Sequence, residues 1–69
     1  MAYEDELPTK LRMERARMKL TQAQVAEAIG TTSAAICLYE QGERVPTLQK
    51  LTDIASFYNV SIDYLVGRQ

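Results

Sequence analysis

The sequence predicts an all-α fold, a compact bundle of five short helices. Apolar residues recur every three or four positions along most of the chain, the alternation typical of strands is nearly absent, and helix stop signals follow one another closely. The chain has 69 residues, enough for one domain and too few for two. Because so short a chain buries only about 60% of its unfolded surface, its helices must be well specified locally.

The first helix is predicted to begin at Pro8 and to extend through Met18. Leu11, Arg15 and Met18 are spaced to share one face of it. We expect Met13 and Met18 to fill the core or its rim.

The second helix is predicted from a capping box at Thr21 and Gln24, in which each side chain bonds the other residue's backbone amide. Gly30 supplies the left-handed residue that ends this helix. Its predicted inner face consists of Val25, Ala26 and Ile29.

The last three helices are predicted from similar end signals. The predicted ends are Thr31 or Thr32 and Gly42 for the third helix, Pro46-Thr47 and Asn59 for the fourth, and Ser61 and Gly67 for the fifth. The residues predicted to face inward are Ile36 and Tyr39 in the third helix, Leu48, Leu51, Ile54, Ala55 and Tyr58 in the fourth, and Leu65 and Val66 in the fifth.

A short glycine-containing turn separates the second and third helices. Such a turn between two capped helices is typical of a helix-turn-helix, here about residues 21–41, whose second helix enters the major groove of DNA. The same pattern also fits an ordinary helical hairpin in a small bundle, so spacing alone leaves both interpretations open.

Residue types needed for catalysis or metal binding are scarce. The chain has no histidine and a single cysteine, Cys37, which argues against a metal site and a disulfide framework. Paired carboxylates at a cleft spacing and a glycine-rich phosphate loop are also absent from the sequence. We therefore expect no enzymatic activity and no cofactor, and we expect Cys37 to be a small filler.

Charge is distributed unevenly along the chain. The formal net charge is −1, which by itself argues against nucleic acid, but residues 10–19 carry a local charge of +4. Residues 1–7 are predicted to form an acidic arm, and residues 8–67 the domain. No apolar run approaches the ~20 residues of a membrane span, and the start lacks a signal peptide, so we expect a cytoplasmic protein and no membrane partner.

Many of these residues fall into one extended pattern. It comprises Leu20-Thr21-Gln22, Val25-Ala26, Ile29-Gly30, Ile36, Tyr39-Glu40, Gly42, Pro46, Leu48, Leu51, Ile54-Ala55, Tyr58-Asn59-Val60-Ser61 and Asp63-Tyr64-Leu65. The pattern resembles the Cro/cI-type, lambda-repressor-like helix-turn-helix family of phage and bacterial regulators. It covers roughly residues 8–67, and the family's five-helix bundle agrees with the helices predicted above.

The resemblance implies contacts with double-stranded DNA. It places a phosphate contact at the start of helix two, base contacts at the start of helix three, a base or sugar contact one turn along that helix, and backbone contacts in the loop that follows. The residues at these positions are Gln22, then Thr32, Ser33, Ala34 and Leu38, then Arg44 and Thr47. It also implies a structural ion pair near the DNA backbone between Arg15 and Glu40, a role suited to a bidentate Arg–carboxylate pair.

The predicted recognition helix departs from the family's usual pattern. Family members usually carry long polar side chains such as Gln, Arg, Lys or Asn there, whereas this helix has none of these four residue types before Gln41. Bidentate contacts to guanine or adenine need such side chains, while methyl groups suit thymine. We therefore expect recognition that favours A·T pairs, with modest base discrimination.

Surplus apolar surface in the last two helices predicts self-association. We expect Phe57, Tyr64 and Val66 to contribute to a homodimer that contacts two half-sites. The leading hypothesis is a sequence-specific transcriptional regulator on a palindromic operator. The alternative is a protein-binding module, such as an antitoxin or an antirepressor partner. Met1 suggests an authentic start, but the sequence leaves open whether the chain is complete or the amino-terminal domain of a longer repressor.

Overall fold

A computed structural model of the protein describes residues 3–68, with side chains from residue 6 onward. This range contains five helices: α1 (Tyr3–Arg17), α2 (Gln22–Ile29), α3 (Ser33–Gln41), α4 (Leu48–Tyr58) and α5 (Ile62–Leu65). α2 packs on α3 and α4, and α1 packs on α3 and α5. The predicted all-α bundle is confirmed. None of the helices in the described range is long and apolar enough to cross a membrane.

The helices surround one apolar core. Ile54, Leu65 and Val25 are its largest side chains with almost no exposed surface. The buried cluster consists of Leu7, Leu11, Val25, Ala26, Ile29, Ala35, Ile36, Tyr39, Ile54, Ala55, Tyr58 and Leu65. Helices this short are marginal in isolation, so their stability depends on this shared core.

Four helices begin at a hydroxyl cap. In each, the cap's side-chain oxygen accepts a hydrogen bond from the amide three residues later, as predicted from the sequence. The pairs are Thr21 with Gln24, Thr32 with Ala35, Thr47 with Lys50, and Ser61 with Tyr64. At Thr21 the reciprocal bond from the Gln24 side chain completes the predicted capping box.

A left-handed residue follows each of the five helices, directly after α2, α3 and α4 and two residues after the last residue of α1 and of α5. These residues are Lys19 and Asn59, both with φ of 57°, and Gly30, Gly42 and Gly67, with φ of 74°, 77° and 75°. The amide of each and the amide that follows bond back to the last helical turn; at the end of α2, for example, Thr31 N–H donates to the Ala26 carbonyl. The left-handed conformation of Lys19 was not predicted, because lysine, unlike glycine, does not favour a positive φ.

α1 begins earlier than predicted. It starts at Tyr3, and Pro8, the predicted first residue, lies inside it. Proline is favoured at a helix start because it lacks an N–H group. Here the additional turn brings Leu7 into the core, where it is 3% exposed. Residues 3–7 of the predicted acidic arm are therefore helical.

Some predicted core residues lie outside the core. Leu48 is 75% exposed at the first position of α4. Met13 is 51% exposed on α1, and Met18 follows the end of α1 at 38% exposed. The predicted inward position is wrong for Leu48, Met13 lies outside the core, and Met18 does not share the buried face of Leu11.

Candidate nucleic-acid interface

α2 and α3 form a helix-turn-helix. The turn between them begins at Gly30, whose φ of 74° suits glycine, and ends at the cap residue Thr32. Lys50 holds this turn from α4, since its Nζ donates to the carbonyls of Ile29 at 3.0 Å and Gly30 at 3.2 Å. The turn thus fixes where α3 starts relative to α2.

The residues predicted to contact DNA lie in three parts of the fold. Gln22 is the first residue of α2 and is half-buried. Thr32, Ser33 and Ala34 are exposed at the start of α3, Leu38 is half-buried one turn along it, and Arg44 and Thr47 are exposed between α3 and α4.

Two of the exposed hydroxyl groups already serve as helix caps. The Thr32 oxygen accepts from the Ala35 amide at 3.1 Å, and the Thr47 oxygen accepts from the Lys50 amide at 3.2 Å. Each O–H can still donate. Ser33 has no such commitment among the contacts of residues 6–68, so its hydroxyl can either donate or accept.

Glu40 joins three helices through its carboxylate. Arg15 of α1 binds it in a bidentate manner, with Nε to Oε2 at 2.7 Å and Nη2 to Oε1 at 2.9 Å. Gln22 of α2 donates its Nε2 to Oε1 at 3.1 Å. The start of α2 therefore lies beside the end of α3. One N–H of the Gln22 amide remains available for another acceptor.

The Arg15–Glu40 pair is unequally exposed. The Glu40 side chain is 4% exposed and that of Arg15 is 25% exposed. The hydrogen bond to Glu40 raises the pKa of Arg15 above its usual value, although burial works in the opposite direction. Arg15 Nη1 also donates to the Leu20 carbonyl at 3.0 Å, so this guanidinium braces the end of α1 as well.

Basic side chains from other elements contact the carbonyl ends of α2, α3 and α4. Lys50 donates from Nζ to the Ile29 carbonyl of α2. Arg12 donates from Nη1 to the Glu40 carbonyl of α3, and Arg17 donates from Nη2 to the Tyr58 carbonyl of α4 at 3.3 Å. Such cations complement the negative end of the helix dipole. Sequence reasoning missed these contacts because the partners are distant in the chain.

Glu14 is a second buried carboxylate, and the sequence did not predict its burial. It is 5% exposed on α1, pairs with Arg17 Nε at 2.8 Å and accepts from the Tyr64 hydroxyl at 2.9 Å. That hydrogen bond raises the pKa of Tyr64. Lys10 Nζ lies 4.7 Å from the centre of the Tyr64 ring. Tyr64, predicted at a dimer interface, thus also ties α5 to α1.

The other predicted interface residues differ in exposure. Phe57 is half-buried at the end of α4, with its ring centre 5.3 Å from that of Tyr58. Val66 is 8% exposed and offers little surface to a partner. Cys37 is a half-buried free thiol on α3. Within the described part of the chain, no cluster of side chains is suited to hold a metal ion.

A family profile described as helix-turn-helix matches residues 11–65. The chain belongs to the Cro/cI-type helix-turn-helix family. This is a DNA-binding family and not an enzyme family, as predicted from the sequence.

Relatives of this helix-turn-helix chain include regulators from several bacteria. It is 41% identical to the cryptic phage CTXphi transcriptional repressor RstR of Vibrio cholerae over 59 residues, 86% of this chain and 53% of RstR. It is 41% identical to the uncharacterized HTH-type transcriptional regulator YobD of Bacillus subtilis over 58 residues, 84% of this chain and 52% of YobD. The chain therefore spans about half the length of these relatives.

The fold is also similar to that of a solved repressor. The P22 c2 repressor, crystallised in complex with a synthetic operator, superimposes with a TM-score of 0.87 at 25% sequence identity. The match covers 91% of this chain and 96% of that chain.

Proposed function

We propose that this protein is a transcriptional regulator of the bacterial cytoplasm or nucleoid that binds a palindromic operator as a homodimer. The observation that carries the proposal is the helix-turn-helix geometry, in which the start of α3 is exposed and the start of α2 lies beside the end of α3. The names of the repressors to which the chain is similar support it. The start of α3 enters the major groove in this proposal.

The surface of α3 sets the expected specificity. Ala34 and Leu38 present apolar groups suited to thymine methyls, and Ser33 presents a hydroxyl. Gln22 offers its remaining N–H and the start of α2 to a phosphate, and Arg44 contacts the backbone from the following loop, where Thr47 also lies. Recognition therefore favours A·T pairs and depends partly on DNA shape.

Binding-site selection tests this function. A pool of randomised duplexes is incubated with the protein and the bound fraction is sequenced. We expect an enriched palindrome with A·T pairs where α3 lies. A site dominated by guanine contacts at those positions would contradict the specificity, and no enrichment at any salt concentration would contradict operator binding.

The homodimer is a separate part of the proposal. Two copies related by a two-fold axis would contact half-sites about 34 Å apart. Phe57 and Tyr64 offer partly exposed aromatic surface for this contact, and Val66, which is 8% exposed, can add only a little. Sedimentation at increasing concentration, with and without the selected operator, should reveal a dimer. Monomers alone at high micromolar concentration in both cases would exclude it.

A protein-binding module is the second candidate. The observation that favours it is the acidic and apolar surface just after α3. Glu43 is exposed there, and Val45, two residues later, is 56% exposed. A partner held by apolar contacts would bind almost independently of salt, whereas binding to phosphates weakens steeply as salt rises. A salt titration of the bound complex therefore separates the two functions.

A further inference from the structure

We propose that Arg12 is a positioning residue for DNA recognition, because it holds the carboxyl-terminal end of α3 and thereby sets the orientation of the whole recognition helix. The inference rests on the proposed function, since it assumes that α3 contacts bases. It assigns to α1 a role beyond the Arg15–Glu40 pair.

Arg12 connects α1 to the last turn of α3. Its Nη1 donates to the Glu40 backbone carbonyl, and its Nη2 donates to the Thr9 hydroxyl at 3.2 Å. The second bond holds the guanidinium from its own helix, one turn earlier. The Arg12 guanidinium therefore links α3 to the preceding turn of α1.

Two further contacts of α1 meet the same end of α3. Arg15 binds the Glu40 carboxylate, and Pro8 packs so closely on Gly42 that a Cβ atom added to the glycine would lie 3.2 Å from Pro8 Cγ. Positions 8, 12 and 15 follow one face of a helix at intervals of four and three. One stripe of α1 therefore holds residues 40–42 as a unit.

The position of this contact matters because α3 is short. Its nine residues span roughly 13 Å at 1.5 Å per residue, so a tilt at Gln41 displaces Ser33 at the other end. α3 also has no basic residue in its own last turn, and Arg12 supplies the missing cation at its negative end.

The existing contacts of Arg12 direct its guanidinium toward α3. Both terminal nitrogens are engaged within the chain, one on Glu40 and one on Thr9. Each terminal nitrogen carries a second N–H group, and Arg12 is exposed, so the salt dependence of binding has to separate the proposed role from a direct phosphate contact. In the proposed role, the effect of Arg12 on binding passes through α3 and not through counterion release.

Arg12→Met tests the proposal, with Arg17→Met as the matched control. Arg17 donates to the carbonyl end of α4 in the same manner, and its hydrogen bonds within the described residues go to Glu14 and Tyr58 and not to α3. Affinity for the selected operator and for a random duplex would be measured across a range of salt concentrations, together with the urea midpoint of each variant. Arg12→Lys, which keeps the charge and an N–H donor on a long side chain, is the rescue variant.

We expect Arg12→Met to weaken operator binding about tenfold, the effect of losing one charge-assisted hydrogen bond, and to weaken random-duplex binding much less. The slope of log affinity against log salt should remain that of the unmodified protein. Arg12→Lys should recover most of the selectivity, and Arg17→Met should lower the urea midpoint with selectivity unchanged.

Two outcomes would overturn the role. A slope smaller by about one per lost contact, with equal losses on both duplexes, would make Arg12 a phosphate contact. Unchanged selectivity in Arg12→Met would show that it does not position α3. Amide chemical shifts of the DNA-free variants supply an independent measurement, since Arg12→Met should move residues 33–41 and Arg17→Met should not. If the unmodified protein binds no duplex, the proposed function fails, while these shifts still test the contact.

Discussion

Glu40 is a buried charge on which several neighbours depend. It is 3% exposed, and its carboxylate accepts from both Arg15 and Gln22 while its carbonyl accepts from Arg12. A buried ion pair gains little over an apolar pair of the same shape, but removal of one partner leaves the other charge uncompensated. Stability and the placement of Gln22 therefore depend on the same carboxylate.

We expect Glu40→Ala to lower the free energy of unfolding by about 3 kcal/mol, because Arg15 and Gln22 lose their shared acceptor. Arg15→Ala should be costly as well, since it leaves the carboxylate buried. The double variant should cost less than the sum of the two, as measured by urea unfolding. Strict additivity would mean that the two side chains do not stabilise each other.

Tyr58 gives the protein a sensitivity to alkaline pH. Burial, followed by the nearby Glu40 charge, raises the pKa of Tyr58 to about 12 from 10.0. A folded-state pKa above the unfolded value means that the contribution is complete below pH 10 and is lost as pH rises toward 12. The pKa of Tyr64 is raised as well, by its hydrogen bond to Glu14.

The free energy of unfolding should therefore fall between pH 10 and 12, by about 2–3 kcal/mol for Tyr58. Urea unfolding at a series of pH values measures this fall. Tyr58→Phe is the control: its curve should be flatter in this window, because the phenol no longer titrates. Parallel curves for the two proteins would contradict the assignment to Tyr58.

Each helix is specified mainly at its ends. A hydroxyl cap starts α2, α3, α4 and α5, and a left-handed residue follows every helix. Lys19 departs from the pattern, because a side chain with a Cβ atom is strained at φ of 57°. The strained backbone at Lys19 therefore lowers the stability of the protein slightly, and a glycine at this position would remove the strain.

We expect Lys19→Gly to raise the free energy of unfolding by about 0.5–1 kcal/mol, a strain relief partly offset by the greater freedom of glycine in the unfolded chain. Lys19→Ala retains the strained backbone and removes the same charge, so it should give no comparable gain. Thermal and urea unfolding of the three proteins measure the difference. Equal gains in both variants would attribute the effect to charge.

Most basic side chains of the whole molecule are engaged within it. Arg12, Arg15, Arg17 and Lys50 donate to backbone carbonyls, and Lys10 lies over Tyr64. Among residues 6–68 the uncommitted cations are Lys19, Arg44 and Arg68. Most of the local charge of +4 in residues 10–19 thus serves the packing of the bundle, and few uncommitted charges remain for phosphates.

DNA binding should therefore depend only moderately on salt. Three free cations in each copy of a dimer allow a slope of log affinity against log salt no steeper than about −5, at ~0.9 per phosphate contact. A salt titration on the selected operator measures this slope. Arg44→Met should reduce its magnitude, whereas Arg17→Met should not. A slope near −10 would mean that the engaged arginines are released to the DNA.

The sequence by itself determined the ends of α2 to α5 and most of their inner faces. Caps and left-handed residues act within one turn, as at Thr21 and Gly30, so nearby residues suffice to predict them. The extended pattern from Leu20 to Leu65 was also sufficient to predict the family.

Only the tertiary structure decided where α1 starts and what its arginines do. α1 begins before Pro8, and Leu7 in this additional turn is buried in the core that the other helices form. Arg12 and Glu40 are 28 residues apart, and Glu14 and Tyr64 are 50 apart. Helix periodicity shows which residues share a face but not which helix covers that face. The partner of each charged side chain is therefore fixed only when the bundle packs.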